Sequence, residues 1–203
     1  MEGVMVQMKL EMLSRRFYER RPDTVARELL GKIICKADVQ RMGIIVETEP
    51  YFGPEDPASR ARKGGNLAEV MRGQVCTALV YGVHRQWLLN IVAHPRGEYG
   101  AVLLRSVVPV ECRDGQFSLL EPIIGPGRLT KYLSIDKGLH GKFLCREDSE
   151  LKIYDYLSFE DRCISRSPRV GVKEDLPIPL NFKVRNECLR ELGKPSLNNR
   201  FFG

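Results

Sequence analysis

A chain of 203 residues with 43% hydrophobic side chains can bury one good-sized core but is short for two, so a single globular domain spanning 1–203 is expected. Thirty-two Lys and Arg against 26 Asp and Glu leave a net charge of +6, which favours an anionic partner such as nucleic acid. No apolar run approaches the ~18 residues that span a bilayer, and the charged N-terminal stretch lacks the apolar core of a signal peptide, so the expectation is an intracellular protein without a membrane partner.

In chain order, Asp23 or Thr24 can cap a short helix through Val25, Ala26, Leu29 and Leu30 that stops at Gly31. Strand-like runs at 32–36 and 43–49 flank a polar turn at 40–42 and can form a hairpin. Residues 51–73 are rich in Gly, Pro and charge and read as a long loop with one short helix near 66–71; a loop of this length is more often functional than idle. Strands are predicted at 75–80, 86–93 and 101–110, with Tyr81-Gly82 as a hairpin tip between the first two. Gly125-Pro126-Gly127 introduces an amphipathic helix with Leu129, Tyr132 and Leu133 on one face, ending near Gly138. Strand-like pieces at 151–154, 169–172 and 180–184 complete an α+β pattern without the regular βαβ alternation of a doubly wound fold.

The cysteines at 35, 76, 112, 145, 163 and 188 form no C-x₂-C pair, which excludes the usual spacing of zinc and iron–sulfur sites; free thiols are expected, with pairing reserved for a hyperthermophilic source. The segment with the most chemistry is Ile44 to Asp56, where an apolar strand runs into acids, two aromatics and a forced turn. Alternation along a strand puts Glu47, Glu49 and Tyr51 on one face and Thr48 on the other. A carboxylate beside an aromatic ring can serve as a general base, whereas an isolated Glu-x-Glu also reads as a solvated strand end. Arg105, inside an apolar strand, needs either a buried partner or an edge facing solvent.

The strings IIVETEPYFGPED, LVYG, GAVLLRSVVP, GPGRL, RVGV and PLNFKV, in this order, resemble the alkyladenine (3-methyladenine, methylpurine) DNA glycosylase family over about residues 17–184. The resemblance implies a single compact α+β domain with a mixed, mostly antiparallel curved sheet, a protruding β-hairpin and flanking helices. It further implies a monomer without metal or cofactor that acts on double-stranded DNA in the cytoplasm and nucleoid, or in the nucleus of a eukaryote. Such enzymes rotate a damaged purine out of the duplex and use water to break its N-glycosidic bond. By position, Glu49 matches the general base. Arg105 and the Val170 backbone match groups that hold the attacking water. Tyr51 matches a stacking aromatic, Tyr81 the intercalating wedge, and Asn90 the guanine-excluding residue, if a two-residue insertion is accepted.

Two pocket positions depart from the family pattern: Arg60 stands at the place of a histidine, and Ala78 at that of a third aromatic. A cationic alkylpurine gains about 1–2 kcal/mol from an aromatic sandwich, and Arg60 in the pocket would oppose it. The reading therefore leans towards neutral deaminated bases such as hypoxanthine, with Arg60 directed outward to a phosphate as its alternative. Arg62, Lys63, Arg72, Gly127 and Arg128 are candidates for the DNA backbone. The rival for the whole chain is a non-catalytic nucleic-acid-binding relative with an altered base pocket.

Overall fold

The computed structural model describes residues 10–113 and 116–192, and only the backbone of 112, 113, 116 and 117. The chain opens with helices α1 (Arg15–Tyr18) and α2 (Pro22–Leu29). α2 starts one residue before the expected cap because Pro22 occupies its first turn, where the missing N–H has no helical partner to lose. Val25, Ala26 and Leu29 on its inner stripe are fully buried. Gly31 then turns the chain at φ +92°, where a Cβ would lie 2.8 Å from the Leu157 carbonyl oxygen, so only glycine fits.

Strands β1 (Ile33–Lys36) and β2 (Arg41–Tyr51) form the expected hairpin, in register Lys36 with Arg41, around a turn closed by Gln40 in the left-handed region. Helix α3 (Gly65–Arg72) follows the long loop. Next come β3 (Ala78–Val83), β4 (Gln86–Val92), β5 (Ala101–Arg113), β6 (Gln116–Leu119), β7 (Ile123–Ile124) and helix α4 (Pro126–Tyr132). β8 (Leu151–Tyr154), β9 (Ile164–Ser167), β10 (Asn181–Val184) and helix α5 (Asn186–Leu192) complete the described chain. α1, β6, β7, β9 and α5 have no counterpart in the sequence reading.

All the described pairings of the sheet, ordered β3-β4-β5-β2-β1-β8, are antiparallel, in keeping with the mostly antiparallel sheet of an α+β domain expected. β2 is its centre. One edge of β2 pairs with β5, with a register irregularity around Glu47, while the other pairs first with β1 and then, at Glu47 and Thr48, with β10. A bulge of this kind re-aims side chains and bends the strand. Alternation then divides the sheet into two faces. Ala78, Val80, Leu89, Ile91, Val102 and Leu104 join the main core with α2, and Leu79, Val92 and Ala101 pack with Ala61 and Met71 in a smaller cluster beneath the long loop.

Four local expectations are corrected. Tyr81 is not at the hairpin tip: it sits within β3 opposite Leu88, and the turn is His84-Arg85, both at positive φ as a tight two-residue hairpin demands. The stretch 169–172 is a turn instead of a strand, with Gly171 at φ +77°. α4 ends at Tyr132, well before Gly138, since Ser134 takes a left-handed conformation. Cys76 is joined to Cys145 and Cys163 to Cys188, across sequence separations of 69 and 25 that concealed their proximity. Two non-overlapping loops of these lengths each contribute about 3–4 kcal/mol in the chain-entropy account of disulfides. Cys35 is a free thiol, and the Cys112 thiol lies outside the described side chains. No described helix is long and apolar enough to cross a membrane.

Candidate active site

β2 ends in a buried polar cluster that includes Glu47, Glu49, Arg105, Ser106 and Asn181. Glu47, Glu49 and Tyr51 share the face that alternation assigns them, while Thr48 points the other way and donates its hydroxyl to the Ala26 carbonyl of α2. From the adjacent strand β5, Arg105 reaches the same face, donating Nε to Glu47 at 3.0 Å and Nη1 to Glu49 at 3.2 Å. Arg105 is buried, and the open-edge alternative is excluded.

Glu49 is 0% exposed and accepts four hydrogen bonds. Oε1 receives the Val170 backbone N–H at 2.8 Å and Asn181 Nδ2 at 2.9 Å; Oε2 receives the Tyr51 hydroxyl at 2.9 Å and Arg105. Glu47 accepts from Arg105, Asn181 and the Ser106 hydroxyl. Burial pushes the Glu47 carboxyl up, yet these donors outweigh it and hold the group below the ordinary carboxylate range. The Tyr51 hydroxyl is pushed far up, first by burial and then by the neighbouring Glu49 charge, so it stays a neutral donor. Two carboxylates and one guanidinium leave this dry cluster with a net charge of −1.

Above the cluster opens a cavity of about 650 Å³ whose lining includes Tyr51, Arg60, Tyr81, Leu103, Arg105 and Val170. That volume lies within the range of small-ligand sites. Arg60 is half-buried, with its guanidinium 4.7 Å from the centre of the Tyr81 ring. Tyr81 is thus a wall of the cavity in this conformation, while His84 at the true tip lines its mouth.

Other predicted positions are spread more widely. Asn90 lies on the cavity face beside Leu103 but is buried under the lining, donating its amide to the Leu79 carbonyl. Ala78 is a correction: it stands an odd number of positions from Tyr81, hence on the opposite face, and is packed in the main core outside the cavity. Lys63 lines the cavity; Arg62 pairs loosely with Glu174, Arg72 lies over the Tyr99 ring, and Arg128 is exposed. Gly127 is buried under Gln86, whose Oε1 would be 1.8 Å from an added Cβ, so this glycine accommodates the turn end of the β3–β4 hairpin.

Four residues of the region escaped the sequence reading. Ser106 and Asn181 complete the carboxylate shell, and Asp56 and Arg169 form a bidentate ion pair behind it. A signal existed for Asn181, a polar residue in the apolar string PLNFKV, whose amide donates to both Glu47 and Glu49 at the start of β10.

Residues 16–188 match the profile of the family described as Methylpurine-DNA glycosylase (MPG). A protein of Aeropyrum pernix named "Putative 3-methyladenine DNA glycosylase" is 48% identical over 177 residues, covering 85% of this chain and 89% of the relative. Proteins of the same name from Myxococcus xanthus and Wolbachia pipientis are 37% identical over 172 residues and 34% over 197, covering 80% and 96% of this chain and 83% and 100% of theirs. A profile match over most of the chain, with the relatives aligned nearly end to end, establishes that the chain belongs to the methylpurine-DNA glycosylase family of DNA repair enzymes.

Proposed function

We propose that the protein is a monofunctional purine DNA glycosylase, acting as a monomer inside the cell on a damaged base flipped out of duplex DNA. The observation that carries this reading is the dry, net-negative cluster of Glu47, Glu49 and Arg105 directly beneath a cavity walled by Tyr51 and Tyr81. Breaking an N-glycosidic bond develops positive charge on the sugar, and a preorganised anionic cluster in a water-poor site stabilises that charge more in the transition state than in the ground state. Glu49 activates the water. Arg105 and the Val170 N–H, both directed at Glu49 and both lining the cavity, orient it. Tyr51 stacks on the base, and Tyr81 with the hairpin beyond it fills the gap in the duplex. Asn90, beneath the lining, restricts the pocket floor against guanine. Arg62, Lys63, Arg72, Arg128 and the α4 turn at Gly127 follow the DNA backbone.

The preferred base in this reading is neutral, with hypoxanthine foremost. Arg60 lines the cavity, and among the described residues no carboxylate pairs with it, so its charge opposes a cationic alkylpurine. Its N–H donors suit the O6 and N7 acceptors of a 6-oxopurine.

Single-turnover release of hypoxanthine, 1,N⁶-ethenoadenine, 3-methyladenine and 7-methylguanine from duplex DNA tests both levels. Wild type should release hypoxanthine faster than 7-methylguanine, and Glu49→Gln should slow release by about 10³-fold or more. Equal or faster 7-methylguanine release removes the neutral-base preference. Binding of lesion duplex without release of any base would favour the non-catalytic relative.

A further inference from the structure

We propose that Arg169 is a positioning residue for excision: locked between Asp56 and Asp175, its guanidinium fixes the Tyr51 ring and the aim of the Val170 N–H at Glu49. The inference rests on the glycosylase reading above. The Arg169 side chain is 0% exposed, and its guanidinium donates four hydrogen bonds while standing in ion-pair distance of both Asp56 and Asp175. Nη1 and Nη2 donate to the two Asp56 oxygens at 2.7 Å each, Nη1 also donates to the Pro50 carbonyl at 2.9 Å, Nε donates to Asp175 Oδ1, and Nη2 lies 2.7 Å from the same oxygen in the ion pair. Asp56 is equally saturated, because its oxygens also accept the backbone N–H groups of Phe52 and Ala58. Burial pushes the Asp56 carboxyl up, but these bonds hold it below its ordinary value, and the pair stays ionic.

The location of this pair separates it from an ordinary structural bridge. The guanidinium carbon lies 4.5 Å from the centre of the Tyr51 ring, and Arg169 is not part of the cavity lining, so it backs the wall against which a base would stack. Asp175 also accepts the Arg169 backbone N–H at 2.9 Å, which fixes the chain one residue before the Val170 N–H that meets Glu49. One planar, fully engaged fork therefore sets two groups of the site from behind without touching substrate. A lysine could keep the charge but not the fork, since an ammonium is a point donor free to rotate.

Arg169→Lys and Asp175→Asn, assayed beside wild type and Glu49→Gln, provide the test. The substrate is a duplex carrying whichever of the four lesions wild type releases fastest. Positioning predicts that folded Arg169→Lys binds the duplex within about threefold of wild type but releases the base about 10²-fold more slowly, as small misplacements of reacting groups do. A merely structural role would lower the melting temperature and the active fraction while the folded enzyme cleaved at the wild-type rate, and that result overturns the proposal. If Arg169→Lys does not fold, Asp175→Asn decides: release about tenfold slower supports positioning, and a wild-type rate rejects it. A wild type that releases no base removes the glycosylase reading and this inference together. An active wild type with an equally active Arg169→Lys removes this inference alone.

Discussion

Near one end of β2 Arg105 lies between Glu47 and Glu49; near the other, at the end of β1, Lys36 lies between Asp38 and Glu150. Each is a buried cation with two carboxylates, but the carboxylates differ. Glu47 and Glu49 have side chains 7% and 0% exposed, while Asp38 and Glu150 are 52% and 34% exposed. Lys142 also pairs with Glu150, so the second cluster is neutral and shares its charges with water, whereas the first is dry and retains one negative charge. Charge balance is reached around Lys36, whereas Arg169 between Asp56 and Asp175 carries the same excess of one carboxylate as Arg105, so both unbalanced clusters lie at the cavity end of β2. The excess charge beneath the cavity is better accounted for by the reaction than by stability, because desolvating carboxylates is costly.

The comparison breaks most visibly at Arg105. Arg105→Met should destabilise the protein by about 3–5 kcal/mol, the usual effect of removing one partner from a buried ion pair. Two carboxylates would then share a dry site without a cation. Urea unfolding measures it; a loss below about 1 kcal/mol would mean that water reaches the cluster and that it is no drier than the one at Lys36.

How much of this was legible in the sequence follows from the range of each contact. Glu49, Tyr51 and Arg105 could be read because period-two alternation and apolar flanks are local properties, and the same alternation explains why Thr48 turned away. Asn181 was marked only as a polar residue in an apolar string and Arg169 not at all, since both meet β2 or its turn across more than 110 residues, and register between distant strands is not written in either one. The Val-Gly-Val of 170–172 has strand composition, yet the Asp175 carboxylate and the left-handed Gly171 make it a turn. At the hairpin, Gly82 misled the reading in the opposite direction. The glycine is in the strand, and His84 and Arg85, which carry no turn signature, supply the positive φ values. The fold class was recoverable from patterns within segments, and the shell of the site only from their assembly.

Acid should separate the two clusters next. Glu47 has a folded-state value below its unfolded one, so its contribution is present above the unfolded value of about 4.3 and is lost as pH falls through the lower folded value. Glu150 is shifted in the same direction, chiefly by Lys142 and Lys36, but stands in contact with water. Below about pH 4 both contributions fade, and salt should weaken only the exposed one. Stability measured from pH 6 to 2 at low and high salt should therefore retain a salt-insensitive acid loss, shared by Glu47 and Asp56, that Glu47→Gln reduces. An acid loss wholly abolished by salt would place Glu47 in effective contact with solvent.

The smallest effect is expected at Lys36. Burial pushes its ammonium down, but Asp38 and Glu150 outweigh that and leave it raised. Lys36→Met keeps the buried stem and removes the charge, after which Asp38 can be hydrated and Glu150 can lean on Lys142. The change should cost no more than about 1 kcal/mol, as exposed pairs do, and leave base release untouched. A loss as large as that of Arg105→Met would show that partial exposure of the carboxylates does not soften the removal of their cation. The dryness of the Glu47–Glu49 pair would then cease to distinguish it, and the excess charge beneath the cavity would need another explanation than the reaction.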